Sequence, residues 1–198
     1  MNTISKTALE LIYDAEGLDQ PGKWPGGMSG ITIGVGYDLG YVTVDQFESD
    51  WGELFAVDLR ARLTGCVGLR GIQAKRRAAS VGDIRISRAE SERVFTENTL
   101  PAVVQRTGQA FPGIDKLPED AKGALVSLVY NRGTSMVDDS PEDRRREMRA
   151  IRDAVARGDL RAIADQLRAM KRLWAGMHLD GLIARREAEA KLVESCIA

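Results

Sequence analysis

A chain of 198 residues with 43% hydrophobic and 29% charged side chains has the composition of an ordinary soluble globule, large enough to bury its own core. Its formal net charge of −1 argues against a general nucleic-acid partner, and no apolar run approaches the ~20 residues a membrane-spanning helix needs. One histidine, His178, and two cysteines without CxxC spacing, Cys66 and Cys196, supply no zinc pattern and no disulfide framework, so no metal is expected and both thiols read as reduced.

In chain order, Ile4, Ala8, Leu11, Ile12 and Ala15 lie on one stripe of a first helix over about 4–16. Thr3 or Ser5 can cap its start, and Gly17 is a natural stop. Residues 17–30 hold five glycines and two prolines, a loop by composition. Ile31, Ile33 and Val35 then alternate with Thr32, Gly34 and Gly36 as a short strand would, and Gly40 falls in the turn that leaves the hairpin.

Thr43 opens a helix over about 44–51, and a second follows from Glu53 to Leu63. Gly65, Gly68 and Gly71 interrupt the pattern before a short helix ending near Arg77. Ser87 with Glu90 spells a capping box that starts a long helix through Val94 and Phe95, and Pro101 should kink or split it. A dense apolar helix spans 118–131, with Pro118 in its first turn and Glu119 and Asp120 suited to its N-terminal dipole. A surface loop at 134–140 precedes helices at about 141–157, 159–169 and 180–195. The chain reads as α+β and predominantly α, with one small β element and no internal repeat.

Charge is unevenly spread, −7 over residues 1–60 and +6 over the remainder. Opposite walls of a groove are one reading and solvated helix faces the other. Trp24, Trp51 and Trp174 divide in the same way, between stacking on a ligand and burial. The spacing Gly34-x-Gly36-x-x-x-Gly40 lacks the buried strand before it and the helix after it that a dinucleotide loop requires.

The chemistry concentrates where Glu16 ends the first helix and the following hairpin carries Thr32 and Asp38. A carboxylic acid with a second carboxylate is the minimum equipment for hydrolysing a glycosidic bond. The helix macrodipole disfavours negative charge at a C-terminus, which suits Glu16 to carrying a proton, while an arginine from the pair Arg185 and Arg186 would oppose this. Taken without that chemistry, Glu16 is a surface glutamate at a helix end and Thr32 a β-branched strand residue.

Five blocks of sequence carry a resemblance. EGL at 16–18 followed by ITIGVGY at 31–37 is similar to the E-G-x and T-I-G-x-G-H signature of phage-type lysozymes, glycoside hydrolase family twenty-four. ISRAESERVF at 86–95 and ALVSLVYNRG at 124–133 resemble the entry to that family's central helix and its A-L-x-S-F-x-F-N-x-G segment. GDLRAIADQL at 158–167 and GLIARREAEAKLV at 181–193 resemble its closing blocks. The blocks fall in the family's order.

The resemblance implies a single lysozyme-like domain over 1–198, with a small β-bearing lobe at about 17–86. A larger helical lobe at about 87–198, joined by helix 4–16, would form the other side of a groove. It implies a cofactor-free muramidase that cuts the β-1,4 bond between N-acetylmuramic acid and N-acetylglucosamine in peptidoglycan, with inversion. Glu16 is then the acid, Thr32 positions a water, and Tyr37, Asn131 and Arg185 bind substrate, with Tyr130 beside them. Asn131, followed by Gly133, is equally an ordinary helix terminus.

The second carboxylate departs from the family pattern, because Pro25 and Gly26 stand where an aspartate is usual and positions 20–37 contain no acid. Asp38, six residues after Thr32, is the expected replacement, as in a pesticin-like variant group of the family, and Asp19 is the alternative. Tyr37 in place of the family's histidine fits the same group.

The N-terminal stretch carries acids within its apolar run and no small-residue cleavage site, so no secretory signal is expected. Synthesis in the cytoplasm and action on the wall in the periplasm would follow, through a holin in phage lysis or through machinery that delivers a bacteriolytic effector. The protein is expected to be a monomer without stable membrane insertion. Two other classes remain open, a decayed peptidoglycan-binding module and a structural domain of a phage particle.

Overall fold

The computed structural model describes residues 4–197. It is mostly helical, with one two-stranded antiparallel sheet. The chain divides into two compact units, one of residues up to 15 together with those from 101 onward, the other Glu16–Leu100.

The second unit carries the sheet. Strands β1 (Thr32–Ile33) and β2 (Tyr37–Asp38) pair with Thr32 opposite Asp38 and Ile33 opposite Tyr37. The tight reversal between them uses Gly34 at φ 61° and Gly36 at φ 66°, a left-handed conformation that costs a glycine nothing. A backbone bridge adds Asp19 to the same ladder: Asp19 and Gly34 exchange N–H to carbonyl bonds of 2.8 and 2.9 Å.

Behind the hairpin lie α2 (Val44–Trp51), α3 (Val57–Thr64), α4 (Ile72–Ala78) and α5 (Arg88–Val94). Thr43 caps α2 by accepting from the Gln46 amide. The next helix starts at Val57, because Gly52–Leu54 forms a 3-10 turn instead of joining it. Ser87 and Glu90 form the capping box that the sequence spells, bonding reciprocally at the start of α5. Ile31, Ile33, Leu39, Phe47, Trp51 and Val94 share one buried cluster, so α5 packs with the hairpin's core.

Pro101 acts one turn upstream of itself. Lacking an N–H and crowding the carbonyl four residues back, it cannot follow a regular turn, and Phe95–Thr99 widens into a π-helix before α6 (Leu100–Ala110).

In the first unit, α1 (Lys6–Glu16) starts with Ser5 Oγ accepting from the Ala8 amide at 3.1 Å, and Thr3 lies outside the described residues. Helix α7 (Glu119–Arg132) is buried from Gly123 to Val129 without a break. Its partners include α10 (Asp180–Glu194), which also packs on α9 (Leu160–Ala169), while α9 packs on α8 (Arg146–Arg157). Helix α8 begins later than periodicity suggests, because Asp138 accepts from the Ser140 and Arg144 amides and holds that stretch as a turn.

Gly123 sits in mid-helix, where glycine costs roughly 0.5–1 kcal/mol relative to alanine. A Cβ there would lie 2.1 Å from the Ala8 Cβ, so α1 and α7 approach closely only because position 123 has no side chain. Gly123→Ala is expected to destabilise the protein by about 1–3 kcal/mol despite its better helix propensity. Thermal denaturation checks this; an unchanged or raised Tm would contradict the close packing.

Candidate active site

Glu16 is the last residue of α1 and is half-buried, and Gly17 at φ 73° turns the chain out of the helix immediately after it. Two residues on, the backbone at Asp19 joins the ladder through Gly34. The Asp19 carboxyl group is also half-buried. Burial pushes its pKa up, the neighbouring Glu16 charge pushes it up further, and Lys23 opposes both. Glu16 and Asp19 thus share one electrostatic environment.

Thr32 and Asp38 are direct cross-strand partners, so their side chains leave the sheet on the same face. Thr32 is 8% exposed. Asp38 is fixed by main-chain donors: Oδ1 accepts from the Gly30 amide at 2.9 Å and the Gly40 amide at 2.8 Å, and Oδ2 from Gly30 at 3.1 Å. The carboxylate therefore also caps the 3-10 turn Leu39–Tyr41. Both donors are glycines for a steric reason, since a Cβ at Gly30 would stand 2.3 Å from Asp38 Oδ1 and one at Gly40 2.8 Å from the Gly30 Cα.

Tyr37 lies next to Asp38 on β2 but turns inward. It is 9% exposed, its ring meets Trp51 edge-on at 5.8 Å, and its hydroxyl donates to Asp50 Oδ2 at 2.8 Å. Burial, then the Asp50 hydrogen bond, pushes the phenol well above its usual range. The resemblance implies a substrate contact for Tyr37; here its ring and hydroxyl brace the hairpin against Trp51 and Asp50.

Asp50 is the junction that sequence reasoning misses. It also accepts from Gln46 Nε2 at 2.9 and 2.8 Å and from Asn98 Nδ2 at 2.9 Å, tying β2, α2 and the π-helical segment together. The only signal in the sequence is the helical i, i+4 spacing of Gln46 and Asp50.

Asn131 and Arg185 belong to the other compact unit. Asn131 is half-buried in the last turn of α7. Arg185 is 6% exposed; its Nε donates to Ser127 Oγ at 3.1 Å and its Nη2 to the Ser127 carbonyl at 3.1 Å, with Glu189 Oε1 at 3.4 Å. Complete burial pushes the Glu189 carboxyl up, against the pull of Arg186 and Arg185. Cys66 is buried and Cys196 half-buried, both as free thiols. Among the described residues, no three His, Cys, Asp or Glu side chains converge as metal ligands, and no helix is long and apolar enough to cross a membrane.

The arrangement offers a half-buried carboxyl group at the end of α1 and, on the hairpin, an anchored carboxylate paired with a hydroxyl. Compared with known families, the chain matches Phage lysozyme over residues 53–189, well over half its length. That span contains Asn131 and Arg185 and stops short of Glu16, Thr32 and Asp38. No curated protein matches the chain in sequence.

Proposed function

This chain belongs to the phage lysozyme family, whose members are glycoside hydrolases of peptidoglycan, and from that membership we propose how it acts. It cleaves the β-1,4 bond between N-acetylmuramic acid and N-acetylglucosamine, with Glu16 protonating the leaving oxygen. Asp38 takes a proton from a water that the Thr32 hydroxyl holds, and the water attacks the anomeric carbon with inversion. Inverting carboxyl pairs stand roughly 6.5–9.5 Å apart to admit that water.

The observation that carries this reading is the register of the hairpin, Thr32 opposite Asp38, with the carboxylate held by the Gly30 and Gly40 amides. Asp19 is the weaker partner for the role. A base must be ionised, and burial favours the neutral form of Asp19. The spacing of Thr32 and Asp38 supports placing the chain in the pesticin-like variant group of the family. Because its substrate is the cell wall, the enzyme acts in the periplasm, after release through a holin or delivery by a secretion or injection device.

Turbidity of purified peptidoglycan tests the function: the wild-type protein should clear the suspension. A protein that pellets with the wall without clearing it would be a binding module, and one that does neither would be a structural domain.

The role of Asp19 has its own test. An acid whose folded-state pKa is raised binds its proton more tightly in the folded protein. Stability is therefore greatest below the unfolded pKa and declines as pH rises through the window above 3.8. Asp19→Asn is expected to raise Tm at pH 7, to leave Tm unaltered at pH 3, and to keep activity within about threefold of wild type. Loss of clearing by this variant would move the base from Asp38 to Asp19.

A further inference from the structure

Away from the hairpin, Arg132, Arg144 and Arg145 converge with Asn131, Asp138 and Trp174 on a cavity of about 330 Å³. The fold gathers these residues from separate stretches within one compact unit. Asn131 and Arg132 come from the last turn of α7, Arg144 and Arg145 from the turn ahead of α8, and Trp174 from just past α9.

Main-chain contacts hold the arginines in place. Arg132 Nη2 donates to the Arg144 carbonyl at 2.9 Å, and Arg145 Nη1 donates to the Arg132 carbonyl at 3.1 Å. The Arg132 guanidinium lies over the Trp174 ring, 5.1 Å from its centroid, which fixes its plane.

Charge in the cavity is not balanced. Asp138 is the one carboxylate in the lining, and its two oxygens already accept from the Ser140 and Arg144 amides at 2.9 Å each. Arg132 Nε is buried with no hydrogen-bond partner. The Arg144 guanidinium makes no hydrogen bond or salt bridge among the described residues. Burial, then repulsion from Arg145, Arg186 and Arg144, pushes Arg132 down to about 10. Three guanidinium groups lining the cavity with one carboxylate leave an excess of two positive charges.

We propose that this cavity is an oxyanion site that binds a phosphate group, whose two negative charges match the excess and whose oxygens accept from the guanidinium forks. Arginine suits phosphate because its planar donors meet two oxygens at once. A phosphate monoester carries nearly two charges at neutral pH, whereas a single carboxylate leaves half of the excess uncompensated. The phosphate comes from free inorganic phosphate or from a phosphorylated sugar.

Isothermal titration calorimetry of the whole chain tests this, at constant ionic strength, with inorganic phosphate, glucose 1-phosphate and acetate. Inorganic phosphate should give saturable binding that Arg144→Gln weakens at least tenfold while Tm holds. Arg144 carries this test because its side chain ties no other segment down. Tighter binding of glucose 1-phosphate than of inorganic phosphate assigns the site to a sugar phosphate, and equal or weaker binding assigns it to the free ion. No phosphate heat, phosphate binding that survives Arg144→Gln undiminished, or acetate binding as tightly as phosphate would each overturn the proposal.

Discussion

Glu16→Gln is expected to slow peptidoglycan cleavage by roughly 10²–10⁴-fold, the contribution a positioned general acid makes. The amide keeps the shape of the side chain and removes the transferable proton. The loss should fall on kcat and leave wall binding in place, because the group acts when the leaving oxygen gains charge. Circular dichroism should show the folded helical spectrum, which assigns the loss to chemistry. Activity within a few fold of wild type would remove Glu16 from the mechanism.

Asp38→Asn is expected to lower both activity and stability, and the two effects can be separated. In the folded protein the carboxylate accepts from two glycine amides through both its oxygens. An asparagine turned to keep Oδ1 in place sets its NH₂ against the Gly30 N–H, donor facing donor. Losing or reversing such a contact costs about 1–3 kcal/mol. For a chain of this size that is a fall in Tm of roughly 2–12 °C. Assayed well below its own Tm, the variant should still be at least about 100-fold slower than wild type, since it has no base. Recovery to near wild-type rates under those conditions would make Asp38 a cap for the hairpin and nothing more.

The helical framework was legible because burial follows period. Ile4, Ala8 and Ile12 near the start of the chain and the run from Ala124 to Val129 are buried where the apolar pattern puts them, whereas Ala15, one residue from the end of α1, is exposed. Local capping was equally readable, since Ser87 and Glu90 meet across a fixed three-residue spacing. Pro101 announced a break, but its form, a π-helical turn before the proline, depends on how the preceding backbone relaxes.

The candidate site was legible in part, and the limit was tertiary. Residue order suggests Asp38 beside Thr32, because a chain reversed between Gly34 and Gly36 runs back past Thr32, and the observed register pairs the two. That the Asp38 oxygens would be met by Gly30 and Gly40 needs the fold, since the 20s loop must return to the hairpin to supply Gly30. The resemblance gives Tyr37 to substrate, at the position of the histidine in the family's T-I-G-x-G-H signature. Its partner Asp50 lies in a different helix, and Asn98 reaches the same carboxylate across 48 positions of chain. The arginine cavity was invisible for the same reason, with Arg132 and Trp174 far apart in sequence and stacked in space.

Proton NMR of the first products from a soluble peptidoglycan fragment tests the pairing of Glu16 with Asp38 most directly. A water activated by Asp38 on the face opposite the leaving group should deliver N-acetylmuramic acid reducing ends first as the α-anomer, before mutarotation. First appearance of the β-anomer, or of N-acetylglucosamine at the new reducing end, would contradict the account.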